Sequence, residues 1–244
     1  MNQIQKELKL SQEKLLKTIV PDLVELSIEN VAIVEAMIQN DSAYIKSENK
    51  EAVPTRKKDG SVKYGGSTAY WMTQLKDFLE QNSQAQFTYE EIISKAVEAV
   101  DRENSTHLNA DKTGRKEITN RILNIKNLEN KLKNANLDLI ETISAKTSAK
   151  TRARVNFSFA SKFCHYACFY LFEGLPEQDN YSIYDNIVKK VLQKYVNYYH
   201  LPTRDLDNYR EYQETIDEII AQSKSHISRN GFDHLLWYYF KGRI

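Results

Sequence analysis

Phe157 to Val188 reads FSFASKFCHYACFYLFEGLPEQDNYSIYDNIV. An apolar and aromatic run carries a lysine, Lys162; a Gly/Pro/Asp loop follows, and Asp185 stands where the next helix opens. A lysine set among Phe157, Phe159, Phe163, Tyr166 and Phe169 either snorkels to a polar cavity or is desolvated. Desolvation disfavours an ammonium and can make the amine nucleophilic, so Lys162 is the first candidate for chemistry. At helical spacing, Phe159, Ala160, Phe163, Ala167, Tyr170 and Leu171 form an apolar stripe. Ser158, Lys162, His165 and Phe169 share a neighbouring face. Gly174 and Pro176 end this helix, and Ser182-Ile-Tyr-Asp185 opens a core helix buried through Ile183, Ile187, Val191 and Tyr195. Two consecutive helices joined in this way are expected to bring Lys162 and Asp185 to one cleft.

Helical patterning extends to both sides. Leu8 to Lys17 predicts a first helix, interrupted by Pro21, and Leu23, Leu26, Val31, Val34 and Ile38 predict a second reaching about Gln39. Residues 40–67 turn polar, with KKDGSVKYGGS expected as a loop or short hairpin. Further helices are predicted over Thr68 to Glu80, after a Thr88-Tyr-Glu-Glu91 capping box, over Lys116 to Lys133 and over Leu137 to Ala145. Arg154 to Phe172, Ser182 to Tyr199, Asp205 to Ser223 and Phe232 to Phe240 complete the series. Few glycines and prolines (7 and 4) and no run of alternating strands predict an all-α, multi-helix array. The expected division is an N-terminal helical region over 1–110 and a second over 111–244, or one continuous domain.

Of the 244 residues, 41% are hydrophobic and 27% charged, which fits a globular protein with a sizeable core. The formal net charge of +1 identifies no polyanionic partner, but its distribution is uneven. Between Lys112 and Arg154, eleven Lys/Arg face four Asp/Glu, a local excess of seven that suits either phosphates or a solvated helix surface. Lys57, Lys58 and Lys63 beside Gly65 and Gly66 match no phosphate-binding motif and read as a loop. The N-terminal MNQIQKELKLSQEKLLK lacks the apolar region of a signal peptide, and no apolar run reaches membrane-spanning length. With two cysteines, Cys164 and Cys168, four residues apart on one helix, a reducing cytoplasmic location is expected.

Cys164-His165-x-x-Cys168 offers three ligand types on one helix turn but no fourth, and reads as helix packing. The acidic pairs Glu90-Glu91 and Asp217-Glu218 point in different directions on their helices and read as caps or solvated faces. No P-loop, dinucleotide fingerprint, Gly-x-Ser-x-Gly or HExxH occurs, so no cofactor and no metal is expected.

An apolar helix with an embedded lysine, a loop, and an Asp opening a core helix resembles the catalytic segment of helix-hairpin-helix DNA glycosylases. The likeness is to the 8-oxoguanine glycosylase branch and its bacterial relatives. Phe232-Asp-His-Leu-Leu-Trp237-Tyr-Tyr-Phe-Lys-Gly242 resembles the closing "D…LW" helix of those relatives. Together these segments cover about the last ninety residues, and the first 150 carry no matching motif. The resemblance implies a protein acting on double-stranded DNA with a damaged base. Lys162 would attack C1′ of a flipped-out nucleotide and form a Schiff base, and β-elimination could then cut the strand. Asp185 would stabilise the oxocarbenium-like charge. A flipped base needs stacking surfaces, for which Phe163, Tyr166, Phe169 and Trp237 are the expected walls. Where that family has a glycine-rich hairpin, this chain has Asn156-Phe-Ser-Phe-Ala-Ser161. Lys150, Arg152 and Arg154, just upstream, are therefore the expected DNA-binding residues.

Other readings remain open at this level. Lys162 can snorkel, with Asp185 as the N3 residue of a capping box begun by Ser182. The whole chain can be a non-enzymatic helical module that binds nucleic acid or protein, or a structural helical protein. The sequence leaves the oligomeric state and the identity of the base open.

Overall fold

The computed structural model describes residues 15–39, 48–51, 53–56, 62–80, 87–104, 106–108, 113–147 and 155–241. Over 53–56 and 62–64 the description is of the backbone alone. The described residues are mostly helical, as expected, with two short antiparallel hairpins. The chain divides into two compact units: residues 1–44 with 182–244, and residues 45–181. The division anticipated at residue 110 falls inside the second of these.

The discontinuous unit begins with β1 (Thr18–Val20) and β2 (Leu23–Val24), joined through Pro21 and Asp22. Asp22 adopts a φ of 66°, which a short polar side chain tolerates in a tight turn. Here the structure corrects the sequence reading, in which Leu23 and Leu26 lie on a helix. They are buried, but on the strand and the connection after it, because the turn at Pro21–Asp22 reverses the chain. Helix α1 (Ile28–Gln39) starts only after Ser27, whose Oγ accepts from the Asn30 amide. The fully buried Asn30 side chain closes the hairpin: Oδ1 accepts from the Lys17 amide (3.0 Å), and Nδ2 lies 2.9 Å from the Lys17 carbonyl and 2.8 Å from the Glu25 carbonyl. The first predicted helix, Leu8 to Lys17, lies outside the described residues except at its last three positions, which are not helical.

The continuous unit contains a hairpin, β3 (Val53–Arg56) with β4 (Val62–Gly65), where the sequence left a loop or a short hairpin open. Helices α2 (Thr68–Leu79) and α3 (Tyr89–Glu103) follow, and α3 begins with the reciprocal Thr88–Glu91 capping box anticipated from sequence. The predicted Lys116 to Lys133 helix is two helices, α4 (Gly114–Leu123) and α5 (Leu128–Lys133). Asn124 caps the first, and Asn127, at φ 54°, turns the chain before the second. Asn accepts this left-handed conformation more readily than most residues, and it breaks the helical hydrogen-bond ladder. Next come α6 (Asp138–Ser144) and α7 (Phe157–Leu171). Helix α7 packs against α2, α3, α5 and α6, so it is buried nearly all round, as a central helix must be. It ends near Gly174 (φ 79°), where Gln178, in a 3-10 turn at Pro176–Asp179, donates to the Phe169 carbonyl.

The chain then returns to the first unit through α8 (Asn186–Tyr198), α9 (Tyr209–Ser223) and α10 (Arg229–Phe240). Helix α10 packs on α1, α8 and α9. Its Phe232, Leu235 and Leu236 are fully buried, as are Val188, Val191 and Leu192 of α8 and Ile219 of α9. No helix among the described residues is long and apolar enough to cross a membrane.

Candidate functional site

Lys162 sits in the middle of α7 and is nine-tenths buried, as its apolar neighbours predict. Phe163, Cys164 and Ala160 beside it are fully buried. One helical turn on, His165 is also buried, with Nδ1 3.0 Å from the Tyr181 carbonyl. A carbonyl only accepts, so Nδ1 carries the proton and the imidazole plane is set. Phe169 stacks on this ring at 6.1 Å and 28°. Tyr181, itself fully buried, anchors its hydroxyl at the Asn136 carbonyl (3.1 Å).

Asp185 is the N-cap of α8, not its N3 residue. At φ −124° and ψ 140° it is extended, and its carboxylate accepts from the Ile187 amide at 2.7 Å. This corrects both the expected helix start and the capping box assigned to Ser182: residues 182–185 precede the helix, and Ser182 Oγ, though buried, caps nothing. The short Ser182–Asp185 segment is held by one face of α9. Tyr209 Oη lies 2.7 Å from the Ser182 carbonyl and 3.1 Å from Gln213 Oε1, which in turn accepts from the Ser182 amide at 3.2 Å. Tyr212 donates to the Ile183 carbonyl at 2.8 Å. Burial, then the nearby Asp233 carboxylate, push the Tyr212 phenol well above its usual range. Tyr184 rests on the Tyr212 ring (4.9 Å) and donates to Asp207. Tyr209, Tyr212 and Gln213 stand at i, i+3 and i+4, a spacing visible in the sequence but uninformative without the segment they hold.

The candidate residues distribute between the two units. Lys162, Phe163, Tyr166 and Phe169 belong to α7 in the continuous unit; Asp185 and Trp237 belong to the discontinuous one. Of the four expected base-pocket walls, Phe163 fills the core against Phe159 (6.1 Å). Tyr166 is half-buried, with its hydroxyl donated to Asn104 (3.1 Å), and Phe169 is half-buried beside His165. Trp237, on α10, lies under the Lys241 ammonium at 3.8 Å, a cation–π contact. Lys150, Arg152 and Arg154 lie outside the described residues, as do the side chains of Lys57, Lys58 and Lys63.

Two cations of the basic 112–154 segment have structural duties. Arg115 Nε donates to the buried Asp101 at 2.7 Å, and Arg121 donates to the Ile143, Ala145 and Lys146 carbonyls at the end of α6. Three of the four residues in the acidic pairs are engaged as well. Glu91 serves the capping box, while Asp217 and Glu218 pair with Arg229 and Arg204. Cys164 and Cys168 are buried free thiols, pushed up chiefly by that burial, and Cys168 Sγ contacts the Leu132 carbonyl at 3.7 Å. Among the described residues, no group of three or more His, Cys, Asp or Glu side chains is placed to hold a metal ion.

Residues 68–169 match the family model HI_0787_N, described as an N-terminal domain. This stretch runs from the first residue of α2 almost to the end of α7, includes Lys162, stops short of Asp185, and is less than half of the chain. No curated protein and no solved structure matches the chain.

Proposed function

We propose that this chain is a DNA glycosylase of helix-hairpin-helix type that removes a damaged or modified base, of the 8-oxoguanine kind, from double-stranded DNA. The carrying observation is the nine-tenths-buried Lys162 on the central helix of its unit, followed in the chain by an Asp185 held rigidly at a helix start. A nucleophile must be oriented, and its electrostatic partner must not need to reorganise during reaction. The Lys162 amine attacks C1′ of the flipped nucleotide, and the C1′–N bond breaks with its electron pair leaving on the base, which takes up a proton. The amine loses its protons as the sugar opens and C1′=N forms. Abstraction of a C2′ proton then expels the 3′-phosphate. Asp185 stabilises the cationic sugar, favoured by a carboxylate whose position is set by the Ile187 amide.

A second reading, a non-enzymatic helical module binding nucleic acid or protein, is favoured by the structural duty of Asp185 as a cap. Borohydride trapping on 8-oxoguanine duplex DNA separates the two. A covalent adduct with the parent and none with Lys162→Gln supports catalysis. An adduct in both moves the nucleophile elsewhere, and DNA binding without any adduct favours the module.

A further inference from the structure

Helix α8, which Asp185 caps, contains three lysines and no acid. Its exposed positions are Asn186, Lys190, Gln193, Lys194, Asn197 and Tyr198. They recur at helical spacing along one side, opposite the buried Val188, Val191, Leu192 and Tyr195. No carboxylate occupies an i±3 or i±4 position from Lys190 or Lys194, and neither makes an ion pair among the described residues. The two are i, i+4 neighbours, an arrangement in which like charges repel. The rest of the unit treats several cations differently: Lys189 is paired with Asp207, Arg204 with Glu214 and Glu218, and Arg229 with Asp217. The adjoining α9 carries Glu211, Glu214, Asp217 and Glu218, the last three paired with Arg204 or Arg229, so a polyanion is drawn to the unpaired lysines of α8.

We infer that this outward face of α8 is a docking surface for the phosphate backbone of duplex DNA. The inference rests on the proposed glycosylase reading for its partner, and on charge and geometry for its place. From Asn186 to Asn197 the face extends roughly 16 Å at 1.5 Å per residue. That length matches the rise of about five nucleotides, at roughly 3.4 Å per phosphate of one strand. Lysines neutralise phosphates, whereas amide and phenol groups donate to their oxygens without reading sequence. Gln193 and Asn197 are already aligned, Nε2 donating to Oδ1 at 2.9 Å, and Lys194 lies over the Phe240 ring at 5.4 Å, which fixes its direction.

The test is fluorescence anisotropy of a labelled 8-oxoguanine duplex, and of the same duplex undamaged, across KCl from about 50 to 200 mM. The full chain is compared with Lys190→Gln/Lys194→Gln and with Lys190→Arg/Lys194→Arg, each checked for unchanged circular dichroism. If both lysines meet phosphates, the glutamine variant weakens binding to both duplexes and lowers the salt slope by about 1.8, and the arginine variant restores it. An unchanged slope in the glutamine variant, with the parent binding normally, overturns the docking face and leaves the proposed function standing. A parent that binds no duplex DNA at low salt overturns both.

Discussion

The Tyr212 hydroxyl donates to the Ile183 carbonyl at 2.8 Å, so one phenol on α9 holds the backbone just before Tyr184. Tyr212→Phe leaves the buried Ile183 carbonyl without this partner and is expected to cost about 1–3 kcal/mol in urea unfolding. It should also loosen Asp185, with faster amide exchange at residues 183–187. Unchanged exchange there would mean that Tyr209 and Gln213 suffice.

Asp185 has a cap role and a proposed charge role, which two substitutions separate. Asparagine caps as well as aspartate, whereas alanine costs about 1 kcal/mol. Asp185→Asn should therefore keep parental stability and lose base release, and Asp185→Ala should lose both. Base release by Asp185→Asn at the parental rate would confine Asp185 to capping.

Asp101 sets an acid limit on the continuous unit. Burial raises its carboxyl pKa, but hydrogen bonds from Thr106 and the Leu108 amide, with Arg115, outweigh burial and hold it below the usual range. A depressed folded value contributes stability that is complete above the unfolded pKa, about 3.9, and is lost as pH falls through the folded value. Urea midpoints should therefore drop below about pH 4. Asp101→Asn should be less stable at pH 7 and show a flatter acid limb; an equally steep limb would assign the acid sensitivity to other carboxylates.

Cys164 and Cys168 are buried, and their thiols are pushed away from the reactive thiolate form chiefly by that burial. Ellman's reagent should label neither in the native chain and both in guanidinium. Native labelling of Cys164 would show that α7 opens locally.

What could be read from the sequence was what neighbouring residues encode. The apolar run around Lys162 and the Thr88–Glu91 box rest on periodicities and hydrogen bonds spanning only a few residues. The same local rules failed at Leu23, where a turn at Asp22 overrode helical spacing, and at Asn127, where a left-handed residue split a predicted helix. The tertiary structure alone decided that Asp185 is an N-cap, because its segment is held by Tyr209 and Tyr212, 27 and 29 residues away from their acceptors. It also decided that residues before 45 join those after 181 in one unit, since the Tyr195 hydroxyl donates to the Val24 carbonyl 171 positions earlier. Pairings over such separations leave no period in the chain: a tyrosine reads alike whether it anchors a strand, fills a core or faces solvent.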